Sequence, residues 1–216
     1  MIDPVPSYRY GNAARLDIQG LVPNDARAVL DVGCGTGVFG RDLLAARPNL
    51  EMWGIDPEPA VASLAEQNLS RFVCGFFPAD LTQASERPRF DCVTFNDSLE
   101  HFVDPWDVLT RTRDVLSPTG VVIASIPNIR NYAVLRRLVL NGEWEYRDTG
   151  ILDRTHLRFF TRSSAQALFV SSGYRVAKVI PLNVASGGRA VRALALFGKR
   201  TVEFRALQFA YVAHPI

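Results

Sequence analysis

The sequence predicts a doubly wound α/β domain built on a mostly parallel seven-stranded sheet, and three observations support this. Apolar runs rich in Val, Ile and Phe recur along the chain. Their hydrophobicity is continuous rather than alternating, as in strands that are buried on both faces. Stretches with helical character separate these runs, which is the order of βαβ units. We therefore expect a central sheet with helices on both faces.

The strands follow from the position of each apolar run. Five parallel strands are predicted at 28–32, 51–55, 72–77, 90–95 and 120–126. Two further runs, at 174–181 and 204–213, complete the seven and supply an antiparallel C-terminal strand. This count predicts one α/β domain over residues 1–216, with a substrate-cap insertion at 127–160 and a smaller insertion at 184–202.

Helix starts and stops are also visible in the sequence. Asp104 precedes Pro105, a pair typical of an N-cap followed by a proline in the first helical position. Pro57 follows Asp56 in the same way. Helices are further predicted at 131–141, ended by Gly142, and at 161–172, ended by Gly173.

Composition excludes several classes of protein. The net charge of +2, from 24 basic and 22 acidic residues, is too balanced to predict a nucleic-acid partner. The three cysteines are an odd number, which is typical of a protein in the reducing cytoplasm, and we expect this location. Their spacing is not that of metal ligands, so we expect no metal site. The sequence shows neither a signal peptide nor an apolar stretch long enough for a membrane span.

The strongest local pattern is a glycine-rich turn directly after the first strand. It contains Gly33, Gly35 and Gly37 and is followed by a helix. Such a turn lets a ligand approach main-chain N–H groups at the helix N-terminus. The dinucleotide fingerprint G-x-G-x-x-G matches only from Gly35, out of register with the strand end. A tight turn without any ligand is the structural alternative.

The run Asp31-Val-Gly-Cys-Gly-Thr-Gly resembles the first motif of class I S-adenosylmethionine (SAM)-dependent methyltransferases, which have a Rossmann-like fold. The resemblance implies SAM as the cofactor. It implies that Asp31 lies near the cofactor's amino group and that Gly33, Gly35 and Gly37 form the wall around its methionine and ribose parts.

Later strand ends carry further positions of the same resemblance. Asp56 is predicted to accept hydrogen bonds from the ribose hydroxyls, although it could instead only cap the next helix. Asp80 resembles the acid that receives the adenine amino group, with Leu81 beside the ring; a solvated turn is the alternative. Asn96 ends the strand that passes beneath the sulfonium. All these positions lie at strand ends that should meet in one crevice.

Methyl transfer to a hydroxyl also requires removal of the acceptor's proton. His101 follows the fourth strand and His156 lies in the insertion, so both are candidate catalytic residues; structural hydrogen bonds are the alternative for each. The insertion carries Trp144, Tyr146, Arg147 and Arg154, which suit a polar ligand on an apolar wall. Alternatively, its aromatic residues pack a cap on the sheet edge.

The insertion contains the stretches Pro127-Asn-Ile-Arg-Asn, Gly142-Glu-Trp-Glu-Tyr and Leu152-Asp-Arg-Thr-His-Leu-Arg-Phe-Phe-Thr. These stretches resemble a bacterial methyltransferase subgroup associated with glycosyltransferases and polysaccharide biosynthesis. This implies a small-molecule acceptor, most specifically a sugar or glycoconjugate hydroxyl. A nicotinamide-dependent oxidoreductase and a non-catalytic SAM-binding module remain as alternatives. The basic and apolar segment at 184–202 is expected to pack on the domain or on a second copy in a homodimer; a membrane-surface or partner-binding helix is the other option.

Overall fold

The computed structural model describes residues 15–82, 89–186 and 201–216. Seven strands form its sheet: β1 (Ala28–Val32), β2 (Glu51–Asp56), β3 (Arg71–Cys74), β4 (Phe90–Asn96), β5 (Leu116–Pro127), β6 (Tyr174–Val184) and β7 (Ala206–Pro215). The helices are α1 (Leu16–Gln19), α2 (Val38–Ala46), α3 (Ala62–Asn68), α4 (Ala79–Thr82), α5 (Pro105–Thr112), α6 (Tyr132–Asn141), α7 (Arg162–Ser171) and α8 (Val202–Arg205). Two short 3-10 helices lie at Pro59–Val61 and Leu99–His101.

The strand order across the sheet is β3-β2-β1-β4-β5-β7-β6. The pairs among β1 to β5 are parallel, whereas β7 runs antiparallel to both β5 and β6. The predicted mostly parallel seven-stranded sheet with an antiparallel C-terminal strand is therefore confirmed. The order reverses at β1, which pairs with both β2 and β4, and ligands bind at such a reversal in open α/β sheets.

The core consists of two apolar layers on opposite faces of the sheet. Neighbouring residues of a strand lie in different layers: in β1, Leu30 lies in one layer and Val29 in the other. Helices α5 and α7 cover the face of Leu30, and α1, α2 and α3 cover the face of Val29. Because every position on a doubly covered strand is buried, hydrophobicity runs continuously along the chain.

Strand bounds differ from the predictions mainly at four places, one of which is the end of β6 at Val184 instead of residue 181. β3 ends at Cys74 because the chain turns back there, and the Asp80 carboxylate accepts a hydrogen bond from Phe76 N at 2.7 Å. β5 begins early, because Leu116 pairs with Phe90 before a shift in register. β7 begins at Ala206, because the preceding residues Val202–Arg205 form a helical turn.

Most predicted helix boundaries are confirmed. The Asp104 side chain accepts from Asp107 N at 3.0 Å with Pro105 in the first turn. Asn131 and Thr161 cap α6 and α7. The helix start predicted at Pro57 is wrong.

The chain after β2 instead begins its 3-10 helix at Pro59. Glu58 caps that helix by accepting from Ala60 N at 3.1 Å. The Asp56 carboxylate does not cap this helix, because it accepts hydrogen bonds from the main-chain N–H groups of Gly35 and Glu58. The Asp-Pro pair at 56–57 therefore ends a strand rather than starting a helix.

The structure describes the first predicted insertion in full and the second in part. The region 127–160 contains α6 and a loop that reaches the carboxyl edge of the sheet. Residues 187–200 of the second insertion lie outside the described residues. Among the described helices, none is long and apolar enough to cross a bilayer.

Candidate functional site

A cavity of about 1180 Å³ opens at the carboxyl ends of the parallel strands. It is lined by the ends of β1, β2 and β4, and by α6 and the loop that follows α6. Ligand pockets in proteins usually measure roughly 300–1,000 Å³. This cavity therefore has room for a nucleotide-sized ligand and a second small molecule.

Asp31 lies at the end of β1 and is almost completely buried. Its Oδ1 accepts hydrogen bonds from Thr94 Oγ1 at 2.7 Å and from Asn96 Nδ2 at 2.9 Å. Burial raises the pKa of Asp31 to about 7, although these two hydrogen bonds act in the opposite direction. A positively charged group in the cavity would favour the ionised form of this carboxyl.

The glycine turn takes left-handed backbone conformations, with φ of 76° at Gly33, 52° at Gly35 and 76° at Gly37. A Cβ on Gly33 would lie 2.8 Å from Ser98 Cβ. Gly33 and Gly35 line the cavity. Gly37 is the N-cap of α2 and packs beside Leu69.

The third glycine of the apparent dinucleotide fingerprint has a packing role. A Cβ on Gly40 would lie 2.3 Å from Leu69 Cδ2 and 2.8 Å from Met52 Cγ. Gly40 is therefore required by the close approach of α2 to the sheet. The match to G-x-G-x-x-G needs no pyrophosphate to explain it.

Asp56 ties the end of β2 to the glycine turn. Its Oδ2 accepts from Gly35 N at 2.8 Å and its Oδ1 accepts from Glu58 N at 3.0 Å. Burial raises the pKa of Asp56, while both main-chain hydrogen bonds lower it. Each carboxylate oxygen can accept a second hydrogen bond, so the structural role leaves capacity for a ligand.

Asp80 and Leu81 are not brought into the cavity. The Asp80 carboxylate turns back to Phe76 N, and Leu81 is fully buried in the apolar core. Gly75 and Phe76 line the cavity at the end of β3 instead, and 69% of Phe76 is exposed. An aromatic ring left exposed in a cavity is suited to stacking on a flat ligand group.

Asn96, the last residue of β4, and Asp97, which follows it, line the cavity. The Asn96 Oδ1 atom is buried and has no hydrogen-bond partner among the residues described. Asp97 pairs with Arg15 at 2.7 Å and accepts from Ser125 Oγ at 2.9 Å. Arg15 could not be recognised from local sequence patterns, because its partner is 82 positions away.

His101 and His156 come together although they belong to different segments. Their ring centroids lie 4.8 Å apart in an edge-to-face arrangement, and both residues line the cavity. His101 Nδ1 lies 3.2 Å from the Thr155 carbonyl oxygen, and His156 Nδ1 lies 3.1 Å from that of Ile151. Burial lowers the pKa of His156, and the neighbouring His101 lowers it further.

The sequence analysis assigned no role to Glu100, which lies between β4 and the two histidines. Its side chain is 1% exposed, and its Oε1 lies 3.8 Å from His156 Nε2. Burial raises the pKa of Glu100 well above its ordinary value, and the charge of Asp97 adds to that rise. The sequence feature that could have identified Glu100 as a site residue is an acid directly before a histidine, just after the end of a strand.

The insertion supplies a polar wall to the cavity. Side chains from α6, from the loop after it and from the β6 and β7 strands share this wall: Arg137, Arg147, Asp148, Thr149, Asn183 and Gln208. The strand ends that carry Asp31 and Asp56 line the same cavity. The arrangement suits a polar second molecule beside the ligand held at the strand ends.

Comparisons with known proteins agree with this geometry. A family model described as a methyltransferase domain matches residues 8–179. The ubiquinone biosynthesis O-methyltransferase of Psychrobacter arcticus is 30% identical over 166 residues, 73% of this chain and 62% of that protein. Its counterpart from Cereibacter sphaeroides is 29% identical over 134 residues, 61% of this chain and 53% of that protein. The chain thus spans about half to three fifths of these relatives.

Solved structures share the fold. A SAM-dependent methyltransferase from Archaeoglobus fulgidus superposes with a TM-score of 0.67 and 17% identity, over 93% of this chain and 91% of that one. The plantazolicin methyltransferase BamL, solved with a triazolic desmethylPZN analog and SAH, gives a TM-score of 0.66 and 17% identity, over 96% and 88% of the two chains. Because the family model covers most of the sheet and the glycine turn, the chain belongs to the methyltransferase domain family and has the fold of SAM-dependent methyltransferases.

Proposed function

We propose that this chain is a SAM-dependent methyltransferase that acts on an oxygen of a small-molecule acceptor. The observation that carries the proposal is the convergence of Asp31, the glycine turn and Asp56 at one cavity. The neighbouring ends of β1 and β2 supply these groups, at the reversal of strand order where ligands bind in this type of sheet.

The side chains present match the groups of SAM. In this proposal Asp31 binds the amino group, Gly33 and Gly35 allow close main-chain approach, and Asp56 accepts from the ribose hydroxyls. Asn96 offers its unpaired Oδ1 beside the predicted sulfonium position. For adenine, we propose stacking on Phe76; Asp80 then acts indirectly by fixing the turn through Phe76 N, and Leu81 by packing beneath it.

SAM supplies a methyl group on a sulfonium, which is an excellent leaving group. The acceptor oxygen bonds to the methyl carbon, the carbon–sulfur bond breaks with its electron pair going to sulfur, and the acceptor's proton is lost. The protein's work is to align the two molecules, an effect worth roughly 7–11 kcal/mol. His101 and His156 are the side chains placed to assist loss of the proton.

We propose a sugar or glycoconjugate hydroxyl as the acceptor. The polar wall formed by α6, its following loop and the last two strands supports this, because several hydrogen-bonding side chains suit a polyhydroxylated molecule. The two relatives described above are O-methyltransferases, which supports oxygen as the methylated atom.

Calorimetric titration with SAM and with NAD tests the cofactor. We expect SAM to bind with one site and NAD to show no comparable binding. Turnover is then measured by mass spectrometry with two acceptor classes, nucleotide sugars and small aromatic alcohols. Methylation of the aromatic class alone would reject the sugar acceptor, and SAM binding without any product would favour a non-catalytic SAM-binding module.

Replacing Asp56 by alanine should weaken SAM binding by about 1–3 kcal/mol, because the ribose hydroxyls and the Gly35 N–H lose their acceptor. Calorimetry measures the affinity, and Asp25→Ala, which removes an exposed loop carboxylate, is the matched control. Unchanged affinity in the Asp56 variant would remove this residue from the binding site.

SAM affinity should depend on pH through Asp31. Its pKa of about 7 lies above the ordinary value of 3.8, so below pH 7 binding of a cationic amino group must also displace a proton. We expect the dissociation constant to rise as pH falls from 7 to 5, by up to about tenfold per unit. Asp31→Asn should bind weakly and without this slope. A flat affinity for the unaltered chain over that range would contradict the assignment.

A further inference from the structure

Glu100, His101 and His156 form a compact cluster at one side of the cavity. One ligand atom from each lies within 4.8 Å of the others. Glu100 and His101 belong to the 3-10 helix after β4, and His156 to the loop after α6. Main-chain hydrogen bonds from Leu157 N and Arg158 N to the Glu100 carbonyl, at 2.9 and 3.0 Å, join the two segments.

The hydrogen bonds of the two histidines fix which ring nitrogen is available. Each Nδ1 faces a main-chain carbonyl, of Thr155 for His101 and of Ile151 for His156. A carbonyl oxygen can only accept, so each Nδ1 carries the proton. In the neutral ring, each Nε2 then presents a lone pair. Histidines that bind metals typically have this arrangement, with the other ring N–H donated to a carbonyl or carboxylate.

Glu100 has an unsatisfied carboxylate. Both of its oxygens are buried and neither has a hydrogen-bond partner among the residues that the structure describes. Arg15, whose charge also acts on Glu100, is bound to Asp97 at 2.7 Å. A carboxylate buried without a partner is costly, and such groups in proteins are paired or bind a metal.

We propose that Glu100, His101 and His156 bind one divalent transition-metal cation. Two imidazole nitrogens and one carboxylate oxygen form a set that suits zinc and its neighbours, whereas magnesium and calcium prefer oxygen ligands. Metal–ligand bonds measure roughly 2.0–2.2 Å. The ligand atoms of one cation therefore lie slightly closer to each other than the 3.8 Å that separates His156 Nε2 from Glu100 Oε1 here, so the side chains must move together on binding. Cysteine spacing could not predict this site, because no cysteine takes part.

Three protein ligands leave a coordination position for water or for an acceptor oxygen. If that position receives the acceptor, the two histidines would assist loss of the hydroxyl proton through the cation rather than as bases, because their Nε2 lone pairs are then ligands and the proton passes to solvent. This consequence rests on the proposed methyl transfer, whereas binding of the cation does not.

The test uses the full chain after treatment with a chelator, titrated with Zn²⁺ in competition with a chromophoric indicator. We expect one equivalent to bind, and Glu100→Gln and His156→Ala each to weaken binding at least tenfold. His214→Ala is the matched control, because His214 lies in β7, paired with Arg175, and is not part of the cluster. Titration with Co²⁺ adds a visible absorption spectrum that reports nitrogen and oxygen ligation directly.

Failure to bind one equivalent in the unaltered chain would overturn the proposal, whether or not any variant folds. Equal binding by Glu100→Gln and His156→Ala would overturn it as well. SAM titration of each protein separates the two claims: SAM binding without Zn²⁺ binding rejects only the metal site, and Zn²⁺ binding without SAM binding rejects only the proposed function.

Discussion

Replacing His156 by alanine is expected to lower turnover by about 10²–10⁴-fold, the range over which assisted proton transfer contributes to catalysis. His156 lies against His101 at the cavity, with 7% of its side chain exposed. The residues proposed to hold SAM lie instead at the strand ends. SAM affinity should therefore change less than about twofold in this variant.

The measurement is turnover at saturating SAM and acceptor, with SAM affinity determined separately. His214→Ala, which alters a histidine of β7, should retain full turnover. An unchanged turnover number in the His156 variant would show that neither a proton-transfer role nor a ligand role at this position matters for the reaction.

Gly33→Ala should destabilise the fold by about 2–5 kcal/mol and weaken SAM binding more than tenfold. Two costs add. A left-handed conformation, here φ 76°, costs a residue with a Cβ roughly 1–2 kcal/mol. The new Cβ would also lie 2.8 Å from Ser98 Cβ, and crowding of a packed site costs typically 1–3 kcal/mol.

Gly142→Ala separates these two costs. Gly142 has nearly the same φ, 69°, but nothing lies within 4 Å of the Cβ that an alanine would add. Chemical denaturation should show only the conformational part, about 1–2 kcal/mol, with unchanged SAM affinity. Equal losses of unfolding free energy in the two variants would show that the contact with Ser98 carries no cost.

Most of the fold could be predicted because its signals are local. Continuous apolar runs indicate strands covered on both faces, and the cap residues Asp104, Asn131 and Thr161 mark helix starts through short-range hydrogen bonds. Pro57 shows the limit of such signals. The same Asp-Pro pattern ended a strand, because the Asp56 carboxylate is bound to Gly35, which is distant in sequence.

The candidate site was predictable only in part. Asp31, Gly33, Asp56 and Asn96 line the cavity because the carboxyl ends of parallel strands meet at one edge. Asp80 was expected beside them, but its carboxylate closes a local turn.

The sequence by itself determined the order of strands and helices, the glycine turn and its resemblance to SAM-dependent methyltransferases. Only the tertiary structure decided which side chains share the cavity: it paired Arg15 with Asp97 and brought His156 to the buried Glu100 and its neighbour His101. The physical reason is that local patterns record the environment of each segment. Contacts between segments depend instead on how the loops cross the sheet, which no local pattern specifies.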